Sequence, residues 1–285
     1  MKKYLYLDQL REGEMLYHYT KCEAAASILR SRDLFATKSS FLNDSNEMGF
    51  ILHVAQQVIG ELPSEKWQNL LLKELTETME DFRRHDNYVL SLSEEADSIT
   101  LWSEFGEETG YSLAFDGTEL LSCISEHHRI ACHGRVIYRR TEQEEILRNL
   151  LLTIIPGKIG MPFAEIVSLA AQEKDTVPFS QLCRKFGNAL GVYALFFKQE
   201  EFQPEREYRC VFRPESPKEV HFRSKEGFLL PYMIISVSDE KVLPVRKITV
   251  APKNHVDLAR KGMLLYTRSL GYDTEVSLSN LKLRY

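Results

Sequence analysis

Two short stretches hold residue types that could do chemistry together. The first is Leu16-Tyr17-His18-Tyr19-Thr20. An imidazole and a hydroxyl two positions apart on a strand point to the same side, so His18 and Thr20 can face one cleft and hold a polar ligand. The second is Glu205-Arg206-Glu207-Tyr208-Arg209-Cys210-Val211-Phe212. Alternation predicts Glu205, Glu207 and Arg209 on one strand face and Tyr208, Cys210 and Phe212 on the other. A carboxylate there could grip a ribose hydroxyl and stabilise positive charge developing on a sugar carbon. Each stretch also has a plain reading. Thr20-x-x-Glu23 has the spacing of a capping box ahead of Ala24, Ala25, Ile28 and Leu29, and on spacing alone the cap is favoured. Three charges on one strand face are most often its solvated side.

Other motifs are weaker. Asn43-Asp44 with Glu47 could bind a cation or a substrate hydroxyl, but the same residues make a good helix start and are read as one. Ser91 and Ser93 share a face between Leu90 and Leu92, and no adjacent base marks either as a nucleophile. Cys123, His127, His128, Cys132 and His133 gather five metal-ligating residue types within eleven positions. Their spacings match no standard zinc finger or ribbon. We read them as a solvated loop leading to a strand at Arg135–Tyr138, and no metal is expected. No Gly-x-Gly-x-x-Gly and no Walker loop is present, which argues against a Rossmann or P-loop nucleotide site.

The elements that must position these residues follow from pattern. Strands are predicted at Leu16–His18, Leu34–Thr37, Tyr88–Ser93, Tyr111–Asp116, Tyr208–Phe212, Val220–Phe222, Leu229–Val237, Ile248–Ala251 and Thr274–Leu278. Helical period runs after Thr20, after Asp44, after Pro63-Ser64, and over about 255–270, with Gly271 placed to end the last helix. Residues from about 141 to 199 are predicted helical, with breaks near Pro156-Gly157 and Pro178, as an insertion between strands. Strands and helices are segregated, so the fold class is α+β, a mixed and mainly antiparallel core with flanking helices. We expect one domain over 1–285.

Composition bounds the function classes. The chain has 285 residues, 36 basic against 41 acidic, and a net charge of −5. That argues against a general polyanion binder and leaves a local basic groove open. Five scattered cysteines without a Cys-x-x-Cys pair read as reduced thiols. The longest apolar stretch, Leu150–Ile155, is far below the ~20 residues of a membrane span. No apolar signal core follows the basic start of the chain. The expectation is a cytoplasmic protein with no membrane partner.

The ordered set Tyr17-His18-Tyr19-Thr20, Leu34-Phe35-Ala36-Thr37, Leu42-Asn43-Asp44, Ser91-x-Ser93, Leu101-Trp102-x-x-Phe105-Gly106, Gly110-Tyr111-Ser112 and Glu205-x-Glu207-Tyr208-Arg209 resembles a bacterial family known as domain of unknown function 2971. Tyr is expected at position 105, where this chain has Phe105. More distantly, strand-His-x-Thr, a helix ending in Ile28-Leu29 and a second strand resemble the opening of ADP-ribosyltransferases of the poly(ADP-ribose) polymerase and diphtheria-toxin type. That resemblance implies an ADP-ribosyltransferase-like core, NAD as co-substrate, and a toxin or phage-defence role. It implies that His18, with Tyr19, Thr20, Asn43 and Ser91 near it, holds NAD, and that Glu207, or Glu205, is the late catalytic glutamate. Tyr88, Ser91 and Ser93 stay open for the middle-strand role. The acceptor, protein or nucleic acid, is not implied. The nicotinamide ring of NAD carries its positive charge while bonded to the ribose and departs as a neutral molecule, so the chemistry that the resemblance implies calls for no metal. The alternative is a catalytically inactive module on the same scaffold that binds a nucleotide or a protein.

Overall fold

Runs that alternate apolar with polar residues fold as strands, and runs of helical period fold as helices. The computed structural model describes residues 7–42, 47–83, 86–106, 110–172, 176–225, 227–237, 242–252 and 256–281. In chain order the elements are β1 (Met15–Thr20), α1 (Cys22–Ser31), β2 (Asp33–Lys38), α2 (Glu47–Gly60), α3 (Glu65–Arg83), β3 (Tyr88–Ser93), a short α4 (Ile99–Leu101), β4 (Tyr111–Asp116), α5 (Gly117–His127), β5 (Cys132–Arg135), α6 (Arg140–Asn149), α7 (Ile155–Ile159), α8 (Phe163–Ala171) and α9 (Val177–Tyr193). Then come β6 (Glu207–Phe212), β7 (Val220–Lys225), β8 (Phe228–Ser236), β9 (Val245–Val250), α10 (Val256–Ser269) and β10 (Glu275–Leu278). The fold is α+β with a mostly antiparallel open sheet. The chain divides into two compact units, one of residues 1–7, 42–86 and 136–203, the other of 8–41, 87–135 and 204–285.

The second unit holds the sheet. Among the described residues its order is β10-β9-β4-β1-β3-β2-β8-β7, with β6 on β3 and β5 on β6. β9 and β10 run parallel and the other pairs antiparallel. Opposed residues in an antiparallel pair share a face, so the register sorts every side chain. One face carries Leu16, Leu34, Leu90, Leu113, Cys210 and Ile235, all buried in a core that also takes Leu29 from α1, Ile124 from α5 and Met263 from α10. Each such side chain contributes about 1.5–3 kcal/mol relative to exposure. The other face is polar along its centre, with Tyr17, Tyr19, Ser91, Ser93, Ser112, Glu207, Arg209 and Thr249.

The strand at the middle of this sheet is shared unevenly. β6 covers one whole edge of β3, from Tyr88↔Phe212 to Ser93↔Glu207. On the opposite edge β2 pairs at Tyr88 and Val89, and β1 pairs at Ser93 through Tyr17. β1 and β2 therefore part on either side of Leu90–Leu92, leaving an opening along β3.

The first unit is helical and has its own core, including Ile51, Leu71, Leu147, Ile166, Phe186 and Leu190. Gln143 on α6 is fully buried. Its amide donates to the carbonyls of Ile137 and Lys198 at 2.7 and 2.9 Å, tying the segment before α6 to the one after α9. Residues 42–86 contribute to this unit as well as 136–203. Of the two breaks predicted in the helical stretch, the one at Pro178 falls where α9 begins, and the one near Pro156-Gly157 is displaced. Pro156 sits in the first turn of α7, where its missing N–H is tolerated, and the chain turns instead at Gly160, φ +83°. No single described helix is long and apolar enough to cross a membrane. The apolar pair α6–α7 and α8 bends by 83° between its halves, and many of its side chains are buried in this core. Cys183 is buried here, as Cys210 is in the sheet unit, and burial pushes both thiols up, Cys183 to about 12.

Two further predictions need correcting. Thr20 does not cap α1. It ends β1 opposite Tyr111, and the N-cap position falls to Lys21, whose side chain makes no capping bond. The predicted loop is helix α5 through Cys123 and His127, with His128 just past its end; Asp116 starts the helix, its carboxylate accepting from Glu119 N at 3.0 Å. The strand after it is Cys132–Arg135, earlier than predicted.

Candidate functional site

His18 stands where β1 leaves β3. In continuous pairing its neighbour would be Leu92, but the ladder ends at Tyr17↔Ser93. The imidazole hydrogen-bonds the backbone of Ser91 on the unpaired edge of β3. His18 keeps a solvent-reached surface, yet the protein crowded around it pushes its pKa down to about 4, with a smaller contribution from Arg223 in the same direction. At neutral pH the ring is uncharged. With one nitrogen donating to the Ser91 carbonyl, the other presents a lone pair that can accept from a ligand hydroxyl.

Strand alternation separates the other first-strand residues. Thr20 is buried on the core side. Tyr19 lies on the polar side, its ring edge-on to Trp102 at 4.7 Å. Its hydroxyl donates to Glu95 O at 2.7 Å and accepts from Ser98 N at 3.1 Å. Burial raises its pKa well above the usual tyrosine value. Tyr19 therefore anchors the Glu95–Ser98 turn. Asn43 lies outside the described residues, as does Asp44.

On β3 the three middle-strand candidates separate. Tyr88 is buried in the core. Ser93 is buried, and its hydroxyl donates to Glu205 O at 2.6 Å. Ser91 alone of the three is partly exposed, beside the opening.

On β6, Glu207 and Arg209 share a face, as alternation predicts, opposite Ser93 and Ser91. They form a buried ion pair through Arg209 Nε and a Glu207 carboxylate oxygen. β5 places Gly134, which has no side chain, next to Arg209. Glu205 is buried but precedes the strand, ending a 3₁₀ turn. Arg206, φ 41°, intervenes and breaks the alternation. Glu94 N donates to its carbonyl at 3.0 Å, and its guanidinium pairs with Glu95 at 2.9 Å.

The arrangement brings His18, Ser91 and Glu207 onto three neighbouring strands, β1, β3 and β6. It does not put them all on one face. Glu207 faces the side of Tyr17 and Ser91, whereas strand parity gives His18 to the core side, from which its ring meets the opening at the Ser91 backbone. The histidine-rich segment does not converge. His128 Nε2 accepts from Ser236 N at 2.9 Å, and His133 Nδ1 meets Tyr208 Oη at 2.6 Å. Among the described residues no three His, Cys, Asp or Glu side chains are grouped for a metal ion.

Sequence reasoning missed a group on the far side of the opening. Phe35 on β2, Tyr232 on β8 and His221 on β7 form a row of rings, with centroids 4.5 Å apart for Phe35–Tyr232 and 5.7 Å for His221–Tyr232. The Arg223 guanidinium lies 5.6 Å from the centroids of both Phe35 and Tyr232. The signal was the alternation of His221, Arg223 and Lys225, three basic types on one side of a strand.

A family model described as a protein of unknown function, DUF2971, matches residues 101–210. The match runs from the last residue of α4 to the middle of β6. Comparison with curated proteins and with solved structures gave no match.

Proposed function

We propose that the sheet unit cleaves the nicotinamide–ribose bond of NAD and transfers the ADP-ribosyl group to an acceptor. The observation that carries this reading is the strand order β1–β3–β6, which sets a histidine strand, a serine strand and a glutamate strand side by side, with an opening at the histidine. The neutral imidazole of His18 accepts from a ribose hydroxyl, and the Ser91 hydroxyl lies at the same opening. The bond from ribose C1′ to the nicotinamide nitrogen breaks with its electron pair staying on nicotinamide, which leaves neutral. The sugar gains cationic character, and the Glu207 carboxylate, held in place by Arg209, stabilises it. An acceptor O–H, or water, bonds to C1′ and gives its proton to solvent or a carboxylate.

The test is nicotinamide release from NAD, with cell lysate as acceptor source, by the wild type and by His18→Ala and Glu207→Gln. Release by the wild type and a loss of at least about 100-fold in each variant, at a temperature where circular dichroism shows both variants folded, is the expected result, the scale on which a single preorganised electrostatic contact acts. No release by the wild type overturns the proposal. A second reading rests on the Glu207–Arg209 pair, because a carboxylate occupied by an arginine is equally a structural tie. Under that reading the unit binds the dinucleotide without turnover, and calorimetry would find ADP-ribose binding that His18→Ala weakens while no nicotinamide is released.

A further inference from the structure

The far side of the opening has a chemistry of its own. On the polar side of the sheet, β7 presents His221, Arg223 and Lys225, β8 presents Phe228, Leu230 and Tyr232, and β2 presents Phe35 and Thr37. Phe35 is 39% exposed, Phe228 44%, and Phe41, stacked on Phe228 with centroids 6.3 Å apart, 41%. Rings of this size are normally covered. Arg223 and Lys225 are exposed too, and neither has a carboxylate partner among the described residues. The register puts one described carboxylate on this side of the three strands, Asp33. It accepts from Ser236 Oγ at 2.9 Å, six residues along β8 from the Leu230 that faces Arg223, or roughly 20 Å away. The patch is therefore cationic and aromatic within a chain whose net charge is −5.

We infer that this face binds single-stranded nucleic acid, with Phe35 and Tyr232, and Phe41 and Phe228, stacking on bases while Arg223 and Lys225 hold the phosphodiester backbone. Exposed rings interleaved with basic side chains at two-residue spacing across adjacent strands are what unstacked bases and their phosphates require. A duplex does not fit, because its bases are already stacked on one another. A mononucleotide does not use the site either. The two ring pairs are four residues apart along β8, roughly 13 Å, more than one base can cover. Acidic or purely apolar peptides satisfy only half of the patch. This inference goes beyond the NAD reading and stands without it, since binding is measured with no NAD present.

The experiment is fluorescence anisotropy of the full chain with labelled oligo-uridine and oligo-thymidine of about 12 nucleotides, within the range of known single-strand sites. Salt is varied from about 50 to about 200 mM. The wild type is expected to bind, more weakly as salt rises. Arg223→Ala should weaken binding and flatten the log–log salt slope by about 0.7, the share of one phosphate contact on a single strand. Tyr232→Ala should weaken binding at least about fivefold with the slope unchanged. If Tyr232→Ala also lowers the melting temperature, the more exposed Phe35→Ala carries the ring test. The inference is overturned if neither oligonucleotide binds, if Arg223→Ala and the ring variant both bind like the wild type, or if the matching duplex or mononucleotide binds as tightly. A preference between the two oligonucleotides, with both variants weakened, distinguishes RNA from DNA as the ligand.

Discussion

At the scale of single residues, His18 and the Glu207–Arg209 pair make opposite demands on charge. His18 is held neutral, with its folded pKa pushed down to about 4 from an ordinary 6.5. Between those values the unfolded chain binds a proton that the folded chain refuses. Stability therefore falls as pH drops through that window, by up to about 1.4 kcal/mol per unit, and is fully restored above it. Urea unfolding at pH 7 and near pH 4.5 should show this loss in the wild type and a smaller one in His18→Gln. Equal losses in both would mean that the ring is not kept neutral. Glu207 and Arg209 are the reverse case, two buried charges paired with one another. Glu207→Gln removes one charge of this buried pair and is expected to cost about 3–5 kcal/mol, whereas replacing both residues by Leu costs less. Unfolding midpoints order the three proteins, and a double variant weaker than the single one would refute the account. The alternation of Glu207, Arg209 and Cys210 was readable in the sequence. That Arg209 claims the carboxylate was not, because position 206 breaks the strand pattern and two equivalent carboxylates stand in the motif.

At the scale of elements, β1 is secured at both ends. Arg135, at the end of β5, reaches Asp8 at 3.0 Å, Glu14 at 2.6 Å and Glu94 at 2.7 Å, a bridge from the chain ahead of β1 to the turn after β3. At the other end of β1, a Cβ on Gly110 would come within 2.3 Å of Gly106 O and 2.6 Å of Thr20 O, both backbone atoms. Gly110→Ala should therefore lower stability by about 1–3 kcal/mol or more, read as a drop in melting temperature. An unchanged melting temperature would show that this contact relaxes at no cost. Strand positions were the most legible part of the chain: Tyr88–Ser93 and Tyr111–Asp116 fall where alternation puts them. Helix starts were the least. Thr20-x-x-Glu23 has the local chemistry of a cap, but pairing with Tyr111 extends β1 through Thr20 and overrides it. The α-helix with a side-chain cap among the described residues, α5, starts just after Asp116, where a strand signal ran directly into it. The parting of β1 and β2 lies in no local pattern, since it depends on which edges of β3 two distant strands claim.

At the scale of the molecule, two cores are built from interleaved pieces of chain. Periodicity identified the apolar faces of α2 and α3 but could not say that they share a core with α9, more than a hundred residues away. Phe186 on α9 is fully buried in that helical core. Phe186→Ala is expected to cost about 3–5 kcal/mol through lost burial and the cavity left behind. Hydrogen exchange would locate the loosening in the helical segments, and even loosening along the sheet strands would count against a separate core. The buried thiols turn this division into something that can be timed. Cys183 reports on one unit and Cys210 on the other, and neither reacts as a thiolate while it is enclosed. Alkylation followed peptide by peptide then becomes a pair of clocks within one chain, each started only when its own unit opens.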